Sequence, residues 1–187
     1  MVENTLDKII EKKEQRLKEL KKSVSIDALQ KKINENKSFI NFKEKVELNI
    51  SNNKISLIAE IKKTSPSAGL IIENYNPIDI AKKYNENKAT CLSVLTEEDF
   101  FLGNLIHISK IKEKVKLPIL CKDFFIDPFQ VYLAKSHGAD AILIIIAGLT
   151  DKMADDIYNE ALKLNMSVIV EVHTKKEALK ALRFKNA

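Results

Sequence analysis

The sequence predicts a parallel α/β fold that follows a helical extension. Five apolar, β-branched runs begin at intervals of 23 to 34 residues, near Leu57, Cys91, Pro118, Ala141 and Ser167. A helix-like stretch follows each run, and this alternation is typical of parallel strands covered by crossover helices. The segment before the first run carries helical periodicity instead. We therefore expect a helical extension over 1–50 and five βα units over 51–187.

Three helices are predicted in the extension. Apolar residues recur at approximate helical spacing within 5–22, at Leu6, Ile9, Ile10, Leu17 and Leu20. A second helix is expected at about 26–35, and a third within the segment FINFKEKVEL. No strand signal interrupts them, so all three precede the main domain.

Several helix starts in the βα region carry their own signals. Asn76 and Asp127 each precede a proline, so each is expected to cap a helix whose first residue is that proline. In the segment TKKE, Thr174 can accept from the amide of the third helical residue. Glu177 can reach back to the cap amide, which would complete a capping box.

Helix ends are predicted where glycine or asparagine follows a helical segment. Gly138 follows the third helix of the repeat, while Asn87 and Asn165 follow the first and fourth. These residues adopt the left-handed conformation more readily than others, so each is expected to reverse the chain there.

The composition indicates an ordered globular protein. Hydrophobic residues make up 45% and charged residues 30% of the 187, and the formal net charge is +5. Lysines interleave with glutamates along the helices, which is typical of a solvated surface and also suits an anionic substrate. No basic block with interleaved aromatics occurs, so nucleic acid is not an expected partner.

The cysteines and the apolar runs indicate in which cellular compartment the protein is expected. Cys91 and Cys121 lie in strand-like runs and are expected to be buried thiols, which fits a reducing cytoplasmic setting. The amino terminus is charged from its third residue, unlike a signal peptide. The longest apolar run, at 141–149, is too short to cross a bilayer, so we expect a strand buried on both faces and no membrane partner.

Charged residues recur near the ends of three predicted strands. Side chains alternate along a strand, so Glu60 and Lys62 share one face of the first. Lys122 and Glu171 take similar positions in the third and fifth. A single charge there is usually a solvated rim residue, but the carboxyl ends of parallel strands are also where ligands bind. If these faces converge, two acids and two bases form a cluster suited to acid–base chemistry.

Two architectures are compatible with five βα units. They could form an open doubly wound sheet, or five-eighths of a (β/α)₈ barrel. The sequence contains neither GxGxxG nor GxxxxGK[ST], which argues against a nucleotide-binding Rossmann domain. The segment TSPSAG at 64–69 could hydrogen-bond an anion or simply form a turn.

The segments IAEIKKTSPSAG, LSVLTEEDFFLGN, LPILCKDFFIDPFQVYLAKSHGADAIL and VIVEVHT together resemble indole-3-glycerol phosphate synthase. The resemblance runs in order from about residue 3 to the last residue. It implies a TIM (β/α)₈ barrel of the ribulose-phosphate-binding type with an N-terminal helical extension. It also implies a cytoplasmic lyase of tryptophan biosynthesis that needs no cofactor or metal. Such enzymes are usually monomeric or fused to a neighbouring enzyme of the pathway.

The implied reaction closes the ring of 1-(2-carboxyphenylamino)-1-deoxyribulose 5-phosphate, with loss of carbon dioxide and water. Matching the motifs residue by residue makes Lys122 the general acid and Glu171 the base of dehydration. Lys62 holds the substrate carboxylate and can protonate the departing hydroxyl, while Glu60 orients the lysines. The residues expected to line the substrate pocket are Ser65, Phe101 and Phe124.

The family pattern also includes segments that are not among these residues. A strand of the GINNRNL type, a Glu-Ser-Gly strand end and glycine-rich phosphate turns are missing. We therefore expect a barrel truncated after the fifth βα unit, without its phosphate site, whose open sheet edges permit self-association. The alternative is an inactive fragment or a non-catalytic interaction module that retains the motifs.

Overall fold

The computed structural model describes residues 5–36 and 38–187. It begins with three helices, α1 (Thr5–Ser23), α2 (Ile26–Glu35) and α3 (Phe42–Ser51), close to the predicted positions. The Ser25 side chain caps α2 by accepting from the Ala28 amide, and Asn41 caps α3 by accepting from the Glu44 amide. The third helix begins inside the predicted segment because Asn41 provides this cap.

A five-stranded parallel sheet follows the helices. The first strand, β1 (Ile58–Ile61), leads into a short antiparallel hairpin of β2 (Thr64–Ser65) and β3 (Gly69–Leu70). The remaining strands are β4 (Cys91–Leu95), β5 (Ile119–Lys122), β6 (Ala141–Ile145) and β7 (Ser167–Glu171). The sheet order is β1-β4-β5-β6-β7, so all five predicted strands and their parallel arrangement are confirmed.

A helix follows each strand of the sheet. These helices are α4 (Pro77–Glu86), α5 (Ile106–Lys112), α6 (Phe129–Ser136), α7 (Asp151–Lys163) and α8 (Lys175–Ala181). A short 3₁₀ turn at Ile146–Gly148 follows β6. No helix in the described ranges is both long and apolar enough to cross a membrane.

The predicted helix starts are confirmed with two local corrections. Asn76 accepts from the amides of Ile78 and Asp79, as expected of a cap. Helix α6 begins at Phe129 and not at Pro128, although the Asp127 carboxylate still accepts from the Phe129 amide at 2.9 Å.

The capping box at the start of α8 is also shifted by one residue. Thr174 accepts from the Glu177 amide, as predicted. The Glu177 carboxylate reaches past the cap and accepts from the His173 amide at 2.8 Å. This bond holds the backbone directly after β7.

One predicted helix end is confirmed in position, since α4 ends at Glu86, but the left-handed residue is not the expected one. Gly138 and Asn165 have φ values of +94° and +53°, as expected, but Asn87 has φ −89°. The left-handed residue is Lys88, with φ +62°. Asn87 stays in the last turn because its backbone amide and its side-chain amide both donate to the Lys83 carbonyl.

The two faces of the sheet differ in how they are covered. The outer face buries Ile61, Leu92 and Ile142 in the main core against the helices. The inner face is covered by α3, whose Phe42 packs with residues near the beginnings of the strands. The rest of the inner face is partly open. Ile58, at the beginning of the edge strand β1, is 40% exposed.

The two cysteines are buried and free, as predicted. Cys91 faces the inner cluster, whereas Cys121 belongs to the outer core. Burial raises the pKa of the Cys91 thiol to about 12 and raises the pKa of Cys121 as well. Both side chains therefore stay protonated at neutral pH and act as small apolar residues.

A buried carboxylate joins the extension to the sheet. Asp140, directly before β6, accepts from the amides of Ile40 and Ile119 at 2.8 and 2.7 Å. It also pairs with Lys112, and both side chains are almost fully buried. The linker between α2 and α3 is thereby fixed against β5 and β6.

We expect Asp140→Ala to lower the free energy of unfolding by about 3–5 kcal/mol, because it leaves a buried lysine and two buried amides without their acceptor. Urea denaturation followed by circular dichroism measures this change. The matched control is Asp156→Ala, which removes an exposed carboxylate paired with Lys152. It should change stability by no more than about 0.5 kcal/mol. Equal effects of the two substitutions would contradict the role given to Asp140.

Candidate active site at the carboxyl ends of the strands

One cavity of about 670 Å³ lies at the carboxyl ends of the strands. The structure brings all seven predicted site residues to its wall, including the four charged residues Glu60, Lys62, Lys122 and Glu171. Ser65, Phe101 and Phe124 also line it. A second cavity, of about 570 Å³, lies between α1 and α6 and contains none of these seven.

Strand register explains why the charged residues share one face. Glu60 pairs with Ser93, Lys122 with Leu95, and Glu171 with Ile145 in the sheet. Side chains that are paired in register project to the same side of a parallel sheet. The flanking residues Ala59 and Ile61 consequently point the other way, into the outer core.

The four charges form two ion pairs. Glu60 Oε1 lies 2.7 Å from Lys62 Nζ, and Glu171 Oε2 lies 3.1 Å from Lys122 Nζ. Each of these side chains is 30–33% exposed. Pairing offsets the cost of placing charges at a partly buried wall, yet leaves every group open to a ligand. The second carboxylate oxygen of Glu171 also lies 3.4 Å from His173 Nε2.

The two pairs are built in different ways. Glu60 and Lys62 stand two residues apart in one short segment, so the strand itself brings them together. Lys122 and Glu171 lie on β5 and β7, with β6 between them. Adjacent strands are about 4.8 Å apart, so only two long side chains can make this contact across β6.

Ser65 lies in the hairpin that follows β1. Its hydroxyl accepts from the Ala68 amide at 3.1 Å and lies 3.4 Å from the Ser67 hydroxyl. The segment TSPSAG therefore forms a turn. The turn still brings Ser65, Pro66 and Ser67 to the cavity wall.

Phe101 and Phe124 form an aromatic corner of the cavity, with ring centroids 6.1 Å apart. The backbone around Phe101 is held by the buried Glu97 carboxylate, which accepts from the amides of Asp99, Phe100 and Phe101 at 2.7–3.1 Å. Sequence reasoning missed Glu97. Its only signal was a carboxylate two residues after a strand-like, mostly apolar run.

Gly103 completes this loop. Its amide donates to the Glu97 carbonyl at 2.7 Å. A Cβ at Gly103 would lie 2.4 Å from the Leu95 carbonyl oxygen, closer than any side chain can approach. The loop that carries Phe101 therefore needs a glycine where it passes the end of β4.

The extension also contributes to the site, which the sequence did not predict. Residues of α1, including Leu6 and Ile9, line the cavity. Farther along α1, Lys13 is buried and lies 2.8 Å from Asp123 and 3.6 Å from Glu98. Burial is the largest single influence and favours the neutral amine, but the carboxylates of Asp123, Glu98 and Glu97 together outweigh it, so the pKa of Lys13 is raised.

Within 5–36 and 38–187 no cluster of three or more histidine, cysteine or acidic side chains could hold a metal ion. The cavity instead offers two ammonium groups, two carboxylates, hydroxyls and two aromatic rings. These groups can bind an anion, stack on a ring and move protons.

A parallel sheet with charged groups converging at the carboxyl ends of its strands defines a class of α/β proteins that bind small molecules there. Residues 6–187 match the family described as indole-3-glycerol phosphate synthase. The chain belongs to the indole-3-glycerol phosphate synthase family. Its five-strand parallel sheet is consistent with the TIM-barrel fold of that family.

Curated relatives with the name indole-3-glycerol phosphate synthase agree with this assignment. The protein from Trichodesmium erythraeum is 42% identical over 93% of this chain and 58% of its own length. The protein from Clostridium acetobutylicum is 44% identical over 92% of this chain and 64% of its own length. The protein from Zymomonas mobilis subsp. pomaceae is 49% identical over 71% of this chain. The chain thus spans well under the full length of these relatives.

We expect Glu97→Ala to loosen the loop that carries Phe101, because three amides lose a buried acceptor at about 1–3 kcal/mol each. Chymotrypsin should then cleave after Phe100 or Phe101 much faster than in the unchanged protein. Mass spectrometry of the early fragments locates the cut. Glu113→Ala, which removes an exposed carboxylate at the end of α5, is the control and should leave cleavage unchanged. Protection of both phenylalanine sites in Glu97→Ala would contradict this account.

Proposed function

We propose that this chain carries acid–base residues of an indole-3-glycerol phosphate synthase. The reaction closes the indole ring of 1-(2-carboxyphenylamino)-1-deoxyribulose 5-phosphate and releases carbon dioxide and water. The observation that supports it most directly is the pair of lysine–glutamate contacts facing one cavity. Ring closure needs a proton donor, dehydration needs a base, and the anthranilate carboxylate needs a cation.

The substrate ring fits the apolar side of the cavity. The rings of Phe101 and Phe124 face the same space as the side chains of Leu143 and Ile145. An aromatic ring held at this corner has Lys62 within reach of its carboxylate. Electrostatic attraction to Lys62 then holds that group until it leaves as carbon dioxide.

Lys122 is assigned the role of general acid. As the aromatic carbon attacks the ketone carbon, the carbonyl oxygen gains negative charge and takes a proton from the Lys122 ammonium. Glu171, 3.1 Å away, holds the ammonium aimed into the cavity. After carbon dioxide has left, dehydration removes a hydroxyl and a proton from the newly closed ring, and Glu171 accepts that proton. Lys62, oriented by Glu60, donates a proton to the departing hydroxyl.

The finer architecture belongs to the same proposal. We infer that the sheet is part of an eight-stranded barrel of the ribulose-phosphate-binding type, and that the phosphate ligands lie on strands outside these 187 residues. The support is that β1 pairs only with β4 and β7 only with β6 among the described residues. The division into 1–50 and 51–187, and the cytoplasmic location, remain predictions.

A second candidate is a non-catalytic interaction module. The exposed apolar residues Ile55, Leu57 and Ile58 lie at or just before the edge strand β1, and they would suit association with another chain. In that case the charged cavity would be retained without turnover.

The decisive experiment compares two proteins in an assay for indole-3-glycerol phosphate formation. One is the 187-residue chain. The other joins it to the remaining C-terminal residues of the Clostridium acetobutylicum relative. We expect the chimera to turn over substrate and the 187-residue chain to show little activity. A folded but inactive chimera would argue for the interaction module. A monomeric chain as active as the intact relative would overturn the barrel proposal.

In the active chimera, Lys122→Ala should lower kcat by about 10²- to 10⁴-fold and change KM far less, because proton delivery is needed only in the transition state. Steady-state kinetics at saturating substrate measures the two constants separately. Lys116→Ala, an exposed lysine just before β5, is the control and should keep both within a few-fold. Turnover of Lys122→Ala near that of the control would exclude Lys122 as the acid.

A further inference from the structure

Lys13 is an exception among the charged residues of α1. Its neighbours Lys12 and Glu14 are exposed, whereas Lys13 is only 5% exposed. Its ammonium lies 2.8 Å from Asp123 Oδ1, and Asp123 is itself 7% exposed. A buried ion pair contributes little net stability compared with apolar packing, so its placement calls for another explanation.

The Asp123 carboxylate is fixed from three directions. Besides Lys13, Oδ1 accepts from the Phe124 amide at 2.8 Å, and Oδ2 accepts from the Thr96 hydroxyl at 2.7 Å. Thr96 follows β4 directly, so the carboxylate joins α1, β4 and the end of β5. These three contacts leave the Asp123 carboxylate little freedom to rotate.

Asp123 stands between two residues of the cavity wall. Lys122 precedes it and Phe124 follows it, and all three residues line the candidate active site. Holding Asp123 therefore fixes the backbone from which both neighbours project. Lys13 itself does not line that cavity. Its shortest connection to Lys122 is the contact with Asp123.

We propose that Lys13 of α1 is a positioning residue, which acts through Asp123 to hold the end of β5 so that Lys122 and Phe124 face the cavity. Its importance for turnover rests on the proposed function, but the positioning itself does not. The nearby contact with Glu98 acts in the same direction, since Glu98 belongs to the loop that carries Phe101.

The first test needs no activity. Trace acetylation with acetic anhydride, followed by peptide mass spectrometry, reports how accessible each lysine amine is. In the 187-residue chain, Lys13→Met should raise the acetylation rate of Lys122 severalfold. Lys112 is the internal reference, because it is buried against Asp140 and not against Asp123. Its rate should not change. Lys18→Met, an exposed position on the same helix, should alter neither lysine.

The second test separates positioning from stability. In the chimera described above, Lys13→Met should lower kcat by about 10- to 100-fold with a smaller change in KM, as expected when a reacting group is displaced by about 1 Å. Asp123→Asn keeps the shape of the carboxylate and leaves no charge for Lys13 to balance. Each variant loses some transition-state stabilisation, which is calculated from its kcat. The loss in the double variant Lys13→Met/Asp123→Asn should therefore be smaller than the sum of the losses in the two single variants.

Three results would overturn the proposal. In the first, Lys13→Met is folded and the acetylation of Lys122 is unchanged. In the second, Lys122 and Lys112 become more reactive together, which indicates general loosening. In the third, the loss of transition-state stabilisation in the double variant equals the sum of the losses in the two single variants. If Lys13→Met does not fold, the double variant is compared directly with Asp123→Asn. Asp123→Asn alone should then raise the acetylation of Lys122 severalfold, and the double variant should match it; an unchanged rate in Asp123→Asn, or a further rise in the double variant, would overturn the proposal. If the chimera is inactive while acetylation shifts as expected, the proposed function fails and the positioning stands.

Discussion

The alternation of side chains along five parallel strands in register is the constraint on which the structure depends. It sends one set of residues outward into a core covered by helices and the other set inward to a partly open face. Because the strands are aligned, charges near their carboxyl ends meet at one wall. Had β5 slipped by one residue, Lys122 would lie in the helical core and Cys121 in the cavity.

Local patterns allowed much of this to be predicted. The strand positions, the cap at Asn76 and the shared face of Glu60, Lys122 and Glu171 all follow from spacing within a few residues. The sequence did not reveal the partners of Lys13 and Asp140, which are brought together by contacts spanning about a hundred residues. Asn87 follows the helix as predicted but is not left-handed; its side chain donates to the Lys83 carbonyl, and the reversal falls one residue later, at Lys88.

The amino-terminal helices are integrated with the sheet at both of its ends. At the beginnings of the strands, Phe42 plugs the inner face and the Ile40 amide binds Asp140. At the carboxyl ends, α1 forms part of the cavity wall and buries Lys13 against Asp123. These helices precede the sheet in the chain but pack directly against it. One helix, α3, packs at the beginnings of the strands, and another, α1, packs at their carboxyl ends.

The different construction of the two lysine–glutamate pairs has a consequence for the order in which the site is assembled. Glu60 and Lys62 need only one short segment, so their contact can form once that segment is extended and covered. Lys122 and Glu171 are separated by 49 residues and by a whole strand. During synthesis, the Glu60–Lys62 pair can therefore form before the Lys122–Glu171 pair. Lys122 and Glu171 become neighbours only when the fifth strand of the sheet has docked.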